Sequence, residues 1–367
     1  RVHVIPEDFI LQASFELGFK QESRFTHAIL NPPYKKIGSQ SQHRKMLRPA
    51  GIETVNLYAA FLALAVALVQ PGGEIVAIVP RSFCNGTYFE PFRKWLLERA
   101  AIRRIHVFER RDHAFREDEV LQENVIIHLE RDGSRSSVVI SESEDGTFAG
   151  FRERSIPFDQ IVYPDDPCVF IRVPSLSGDE SEFPFHLTLE ELGVQVSTGP
   201  VVDFRVKEYW ADAPGECAVP LLYPHHFDHS GLRPPTGGKK PNALRLSDST
   251  RKLLLPRGYY TVVRRFSAKE EKRRIIAHVV DPSHLPYPLY GFENHLNVFH
   301  IGKQGLPPDL ALGLKEFLNS AAVDRYFRQF SGHTQVNAND LRVLRYPGRA
   351  ELERLGRQSK NQHEMSP

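Results

Sequence analysis

Ala28-Ile29-Leu30-Asn31-Pro32-Pro33-Tyr34-Lys35-Lys36 carries the reading of the whole chain. An apolar run enters two prolines, which cannot extend a ladder or let the preceding residue turn helical, so a strand ends here and the backbone beyond it is held rigid. An amide at position 31 and a phenol at position 34 are then presented together. The quartet suits methylation of an amino group whose lone pair is conjugated, as in N6 of adenine. If the Asn31 side-chain oxygen and the Pro32 carbonyl accept that amine's two hydrogens, the lone pair can leave the ring plane and attack a methyl donor in line. Tyr34 can stack on the ring. A bare Asn-Pro-Pro also makes an ordinary turn at a domain edge, so the surrounding chain decides between the two.

The first part alternates strands and helices. Val2, Val4 and Ile5 are expected as a short strand ending at Pro6, followed by Glu7, Asp8 and Phe9. An acid just past the carboxyl end of a strand is where an open α/β sheet binds a nucleoside. Residues 28–30 make the next strand and deliver Asn31 to the same sheet edge. Residues 53–69 read as a helix closed by Pro71-Gly72-Gly73. Residues 75–79 form a continuous apolar run, as in a strand buried on both faces, and end at Pro80. Phe89, Phe92 and Leu96 have helical spacing, and Ile102, Ile105 and Val107 alternate as a strand. Residues 125–129 and 138–140 are expected to close the sheet as a hairpin around Asp132-Gly133. The sum is a parallel sheet with an antiparallel end.

From about Ser141 the texture changes. Acidic and small residues suggest a linker, prolines become frequent, and the domain boundary is placed near Gly150, giving domains 1–150 and 151–367. The second domain reads as mixed α+β and β-rich, with short strands at 194–197, 259–263 and 275–280 joined by long loops. A helix over 309–330 carries Leu310, Leu314, Phe317 and Ala321 on one face and stops at Gly332.

A length of 367 residues suits two cores, and 41% apolar with 25% charged residues is ordinary for a globular protein. The net charge of +2 means that any nucleic-acid surface must be a local patch. Cys84, Cys168 and Cys217 are widely separated, which fits a reducing cytoplasm and argues against a structural zinc site. The longest apolar run, residues 57–69, is too short for a bilayer, which needs ~20 residues.

Asp8-Phe9, Asn31-Pro32-Pro33-Tyr34, the helix into Pro71-Gly72-Gly73, the strand into Pro80, and Ser82-Phe83 through Tyr88-Phe89 resemble the later motifs of N6-adenine DNA methyltransferases. Their order resembles the gamma class of type II restriction-modification systems, where a target-recognition domain follows the catalytic one. The run Ser331-Gly332-His333-Thr334-Gln335-Val336-Asn337 with Asp340-Leu341 resembles the end of that recognition domain. The resemblance implies an α/β fold: a partial Rossmann-like methyltransferase sheet over 1–150, then a target-recognition domain over 151–367. It also implies that Asp8 accepts from the adenine amino group of the cofactor S-adenosylmethionine, with Phe9 packing nearby. Asn31 and Pro32 would hold the target amine, next to Pro33, and Tyr34 would stack on the flipped base with Phe115 on its other face. Stacking worth ~1–3 kcal/mol offsets part of the cost of extruding that base from the duplex. The family's glycine-rich cofactor loop and acidic ribose-binding residue have no counterpart ahead of Asp8. The chain is therefore expected to be the C-terminal portion of a longer enzyme.

Two basic segments are candidates for double-stranded DNA. Arg264, Arg265, Lys269, Lys272, Arg273 and Arg274 surround Tyr259, Tyr260 and Phe266, and can neutralise phosphates or form a solvated hairpin. Lys35, Lys36, His43, Arg44, Lys45 and Arg48 directly follow the quartet, as a loop that closes over the flipped strand or as plain polar surface. His225, His226, Asp228 and His229 read as base-reading loop residues and not as a metal site. Glu270 and Lys272 match half of a nuclease signature that recurs by chance. Phe83, Phe89, Phe92 and Trp95 read as core, Cys84 as a small buried hydrophobe, and Asn85-Gly86 as a turn. Two other functions remain open at this stage, a protein glutamine N-methyltransferase sharing Asn-Pro-Pro-Tyr and a non-catalytic DNA-recognition fragment. A bacterial or archaeal cytoplasmic monomer is expected, paired in its system with a cognate restriction endonuclease and independent of membranes.

Overall fold

The computed structural model describes residues 4–18, 25–108, 124–176, 185–228, 231–233, 235, 240–267, 271–331 and 335–364. Two compact units emerge, Arg1–Glu180 with Gln329–Gly332, and Ser181–Arg328 with His333–Pro367. The division falls beyond Gly150 because the strand Arg152–Pro157 pairs with Ser137–Ser143 and so belongs to the first sheet.

In the first unit, helix α1 (Phe9–Gly18) precedes strand β1 (Phe25–Leu30), and α2 (Gln42–Leu47) and α3 (Leu57–Leu68) lead into β2 (Val69–Pro80). Helix α4 (Glu90–Arg99) is followed by β3 (Ala100–Phe108), β4 (Asn124–Arg131), β5 (Ser137–Ser143) and β6 (Arg152–Pro157). The spatial order is β1-β2-β4-β3-β5-β6. β1 runs parallel to β2, and β3 parallel to β5. β4 is antiparallel to both β2 and β3, and β6 is antiparallel to β5. The sheet is therefore mixed, with an antiparallel strand in its interior.

Helix α3 consists of apolar residues nearly all round and is buried accordingly, from Tyr58 to Val66. It packs with α1 and α4 against Ile75, Ala77 and Val79 of β2 in one core. The alternate residue Val76 is 37% exposed and Ile78 is half-buried, so the apolar run 75–79 is not closed on both faces among the described residues. Side chains alternate across a strand, and the three helices cover the face to which the odd-numbered residues point.

Two more expectations for this unit are corrected. Val4 and Ile5 are not in a strand but lie exposed, and Val2 falls outside the described residues. β4 and β5 do not form a hairpin, because β3 lies between them. The reason is local: Asp132 adopts φ 55° and its amide donates to the carbonyl of Arg99 at 2.8 Å, which carries the chain past β3 instead of back along β4.

The second unit holds a four-stranded antiparallel sheet of Ala277–Val280, Tyr260–Arg264, Leu296–His300 and Gln195–Thr198, in that spatial order, beside a five-stranded mixed sheet. The helix expected over 309–330 is two helices, α5 (Pro308–Leu318) and α6 (Ala321–Phe330). Asn319 breaks it by bonding both backbone groups of Ala277 at 2.9 Å, and Ser320 Oγ accepts the Val323 amide at 3.2 Å as a new cap. After α7 (Ala338–Val343), helix α8 (Arg349–Glu364) lies against α5. A Cβ on Gly313 would overlap the Leu352 carbonyl, and one on Gly356 the Asp309 carbonyl, so only glycine allows this approach.

Candidate active site and nucleic-acid interface

The carboxyl ends of the parallel pair β1 and β2 place Asn31 and Arg81 on one sheet edge, with Leu30 opposite Ala77. Asn31 is exposed, Pro32 buried, Pro33 exposed and Tyr34 half-buried. Burial of Pro32 fixes the turn, and the Tyr34 hydroxyl donates to the Ile78 carbonyl at 3.4 Å, tying the quartet to β2. Beyond it the chain is pinned to the start of α3: the Leu57 amide donates to Lys35 O and the Ile37 amide to Val55 O, each at 2.8 Å.

Behind Tyr34 stands an aromatic row. Tyr34 meets Tyr58 edge-on with centroids 6.2 Å apart, and Tyr58 lies 5.6 Å from Phe89. The Tyr58 hydroxyl is 3.0 Å from Ser82 Oγ, and burial pushes its pKa far up, so it stays a neutral donor and acceptor. Phe83, Phe89, Phe92, Trp95 and Cys84 are buried in the core, as expected. Asn85, read from the sequence as half of an ordinary turn, is 1% exposed, and neither its Oδ1 nor its Nδ2 has a hydrogen-bond partner among the described residues. No sequence signal distinguishes it from any other Asn-Gly.

Asp8 does not follow a described strand; it caps α1. The amides of Ile10 and Leu11 donate to its Oδ1 at 2.9 and 3.1 Å. Its Oδ2 is 2.8 Å from His43 Nε2, and Phe9 packs on Phe61 with centroids 4.8 Å apart. Burial alone would raise the Asp8 carboxyl, but the Leu11 amide, the hydrogen bond and charge of His43, and the Ile10 amide together hold it below its ordinary value. His43 thus brings the segment after the quartet back to Asp8, a link the sequence reading missed. Lys35 and Lys36 are exposed. Phe115 and its neighbours His113 and Ala114 lie outside the described residues.

In the second unit the basic run is largely committed to the fold. Arg274 is 1% exposed, its guanidinium 5.5 Å from the Phe327 ring centroid, which corrects its reading as a phosphate contact. Arg264 pairs with Glu271, and Arg273 donates to the Asn319 carbonyl. Arg265 donates to Asn294 O at 2.8 Å. Lys272 and Arg273 remain exposed, and Lys269 and Glu270 lie outside the described residues. His226 is buried and its Nδ1 accepts the Tyr223 amide at 3.1 Å, so it serves the fold; His229 lies outside the described residues. Among the described residues no three His, Cys, Asp or Glu side chains are grouped to hold a metal, and no helix is long and apolar enough to cross a membrane.

This edge, with its amide, rigid prolines and aromatic row at the ends of parallel strands, is that of an α/β methyltransferase. The Eco57I restriction-modification methylase family matches residues 6–115. The chain is 52% identical over 364 residues to the type II methyltransferase M.BsuBI of Bacillus subtilis, covering 96% of this chain and 72% of that one. It is 44% identical over 365 residues to the type II methyltransferase M.PstI of Providencia stuartii, covering 97% and 71%. Among solved structures, the type IIL restriction-modification enzyme MmeI in complex with DNA aligns at TM-score 0.47 and 14% identity over 88% of this chain. The chain spans 45% of that structure's length. The chain belongs to the type II methyltransferases of restriction-modification systems, which methylate DNA. Membership in that family sets aside the protein-glutamine reading of the quartet.

Proposed function

We propose that this protein is a site-specific DNA methyltransferase that transfers a methyl group from S-adenosylmethionine to N6 of an adenine flipped out of duplex DNA. The observation that carries the reading is Asn31, exposed at the carboxyl end of β1 beside a buried proline and a tyrosine tied to β2. The Asn31 side-chain oxygen and the Pro32 carbonyl accept the two amino hydrogens, so the nitrogen lone pair is freed from ring conjugation. Tyr34 supports the extruded ring, and Lys35 and Lys36 flank the strand from which it came.

The residues present suit the adenosine end of the cofactor. Asp8 is held ionised and accepts hydrogen bonds, and Phe9 is an apolar neighbour. When bound, S-adenosylmethionine supplies an electrophilic methyl on a sulfonium centre; holding the amine and shedding its proton to solvent are the chain's own tasks. The second unit reads the target sequence, with Lys272 and Arg273 available to phosphates. The working form is a cytoplasmic monomer, since one methyl goes to one base per encounter, and its system supplies the cognate endonuclease.

The test is transfer of labelled methyl from S-adenosylmethionine to unmethylated duplex DNA by the protein expressed from its complete reading frame. Asn31→Ala is expected to abolish transfer while duplex affinity stays within about threefold of the unsubstituted protein. Equal loss of both would make Asn31 a structural residue. Tight duplex binding with no transfer by the unsubstituted protein would favour a recognition module without catalysis.

A further inference from the structure

Folding a recognition domain leaves few reasons to hold a large apolar ring in water. Among the described residues of the second unit, the exposed large apolar side chains are two phenylalanines, Phe204 at 61% and Phe266 at 57%. The segments that carry them both bond to one turn, residues 293–295. The Val201 carbonyl accepts the Asn294 amide at 2.9 Å, and the His295 carbonyl accepts the Arg265 amide at 2.9 Å. Arg265 closes the link, donating to Asn294 O. A Cβ on Gly199 would overlap the Glu293 carbonyl, so the loop leading to Phe204 lies directly on this turn.

Asp203, a residue only 6% exposed, anchors the backbone at Phe204. Its Oδ1 accepts the Phe204 amide at 2.6 Å, and its Oδ2 accepts Lys240 Nζ at 2.6 Å and the Tyr223 hydroxyl at 3.3 Å. The Trp210 indole donates to Asp203 O at 3.0 Å. Phe266 is fixed from the other side, where it bridges Gln335 and the Arg265 carbonyl accepts the Val336 amide at 2.7 Å. One cation stands beside the first ring, the Arg205 guanidinium 5.8 Å from the Phe204 centroid, and a second, Lys207 Nζ, is 5.9 Å from the centroid of Trp210. Lys272 and Arg273 are exposed further along the chain from Phe266. Glu208 and Asp212 dilute this charge, but among the described residues neither pairs with Arg205 or Arg265.

We propose that Phe204 and Phe266 are a pair of DNA-contacting aromatic side chains that stack on or wedge between bases of the bound duplex, with Arg205 and Lys207 on adjacent phosphates. Exposed aromatic rings on anchored backbone with cations nearby fit a nucleic acid, because every base offers a π-face and each phosphate a charge. The proposal rests on the reading of duplex DNA as substrate.

The test measures anisotropy of a fluorescein-labelled mixed-sequence duplex against salt, together with methyl transfer to unmethylated bacteriophage DNA. Phe204→Ala and Phe266→Ala are each expected to weaken binding about tenfold or more at fixed salt without altering the salt slope. Arg205→Gln and Lys207→Gln are each expected to lower that slope by about one. Phe204→Tyr and Phe266→Tyr, which keep a stacking ring, should retain binding and so separate lost stacking from lost folding. A duplex affinity unchanged in both alanine variants overturns the proposal. So does self-association of the protein that Phe204→Ala abolishes with DNA affinity intact, since the face would then join two copies. If the unsubstituted protein neither binds the duplex nor transfers methyl, the substrate reading itself has failed.

Discussion

His43 Nε2 stands 2.8 Å from Oδ2 of Asp8, while Oδ1 of the same carboxylate caps α1. One acid therefore anchors a helix and a segment that follows the Asn31–Tyr34 quartet. Its two oxygens do different work, and substitutions can separate them.

Asp8→Ala removes the cap and is expected to cost about 1 kcal/mol of stability. Asp8→Asn keeps an oxygen able to cap but loses the charge, so its thermal midpoint should stay near that of the unsubstituted protein. Calorimetric titration with S-adenosylmethionine, on the complete reading frame, should nevertheless show weaker binding by Asp8→Asn. Undiminished cofactor affinity in that variant would confine Asp8 to helix capping.

Tyr34 offers a similar separation. Its hydroxyl donates to Ile78 O at 3.4 Å, whereas the proposed role in holding the base belongs to its ring. Tyr34→Phe should keep methyl transfer within about threefold, and Tyr34→Ala should lower it by about tenfold or more through lost stacking worth ~1–3 kcal/mol. Equal losses in the two variants would transfer the role to the hydroxyl.

Acid sensitivity should centre on His226. Burial first, then the neighbouring His225, lowers its pKa from 6.5 to about 4. Protonation of the Nδ1 that accepts the Tyr223 amide would also break that bond. Because the folded state binds the proton less well than the unfolded chain, the stability from neutral His226 is present above pH 6.5 and is lost as pH falls toward about 4. The loss at pH 5 is on the order of 1–2 kcal/mol. Thermal unfolding at pH 7 and pH 5 should show a smaller drop in His226→Gln than in the unsubstituted protein; an equal drop would point to other groups.

Gly313 tests the packing of α5 on α8. An added methyl would overlap the Leu352 carbonyl, which is backbone and cannot swing aside. Gly313→Ala is expected to destabilise the second unit by about 1–3 kcal/mol, as overpacking does, despite alanine's better helix propensity. A raised denaturation midpoint would show that the helices can part at no cost.

What the sequence revealed follows from the range of each signal. The quartet at the end of β1 was legible because proline restricts its own and its neighbour's backbone wherever the rest of the chain goes. Helix α3 was legible because its apolar character persists on every face, but its bounds were not: it starts at Leu57, not at residue 53, and Pro71-Gly72-Gly73 lies inside β2 instead of closing it. The order of β3, β4 and β5 was not, since Asp132-Gly133 is a sound local hairpin signal, and the Asp132 bond to Arg99 and the pairing of β5 with β3 lie outside that local pattern. Arg274 could not be told from its exposed neighbours, because a run of cations carries no record of which one meets Phe327. Asn85 and the reach of His43 to Asp8 depend on packing between segments distant in sequence, which no local pattern encodes.

The proposed methyl acceptor is N6 of adenine, and nucleoside mass spectrometry of DNA from cells expressing the complete reading frame tests it directly. N6-methyladenine is expected with the unsubstituted protein and none with Asn31→Ala. Modified nucleoside found only as N4-methylcytosine, or N6-methyladenine persisting in Asn31→Ala, would contradict it.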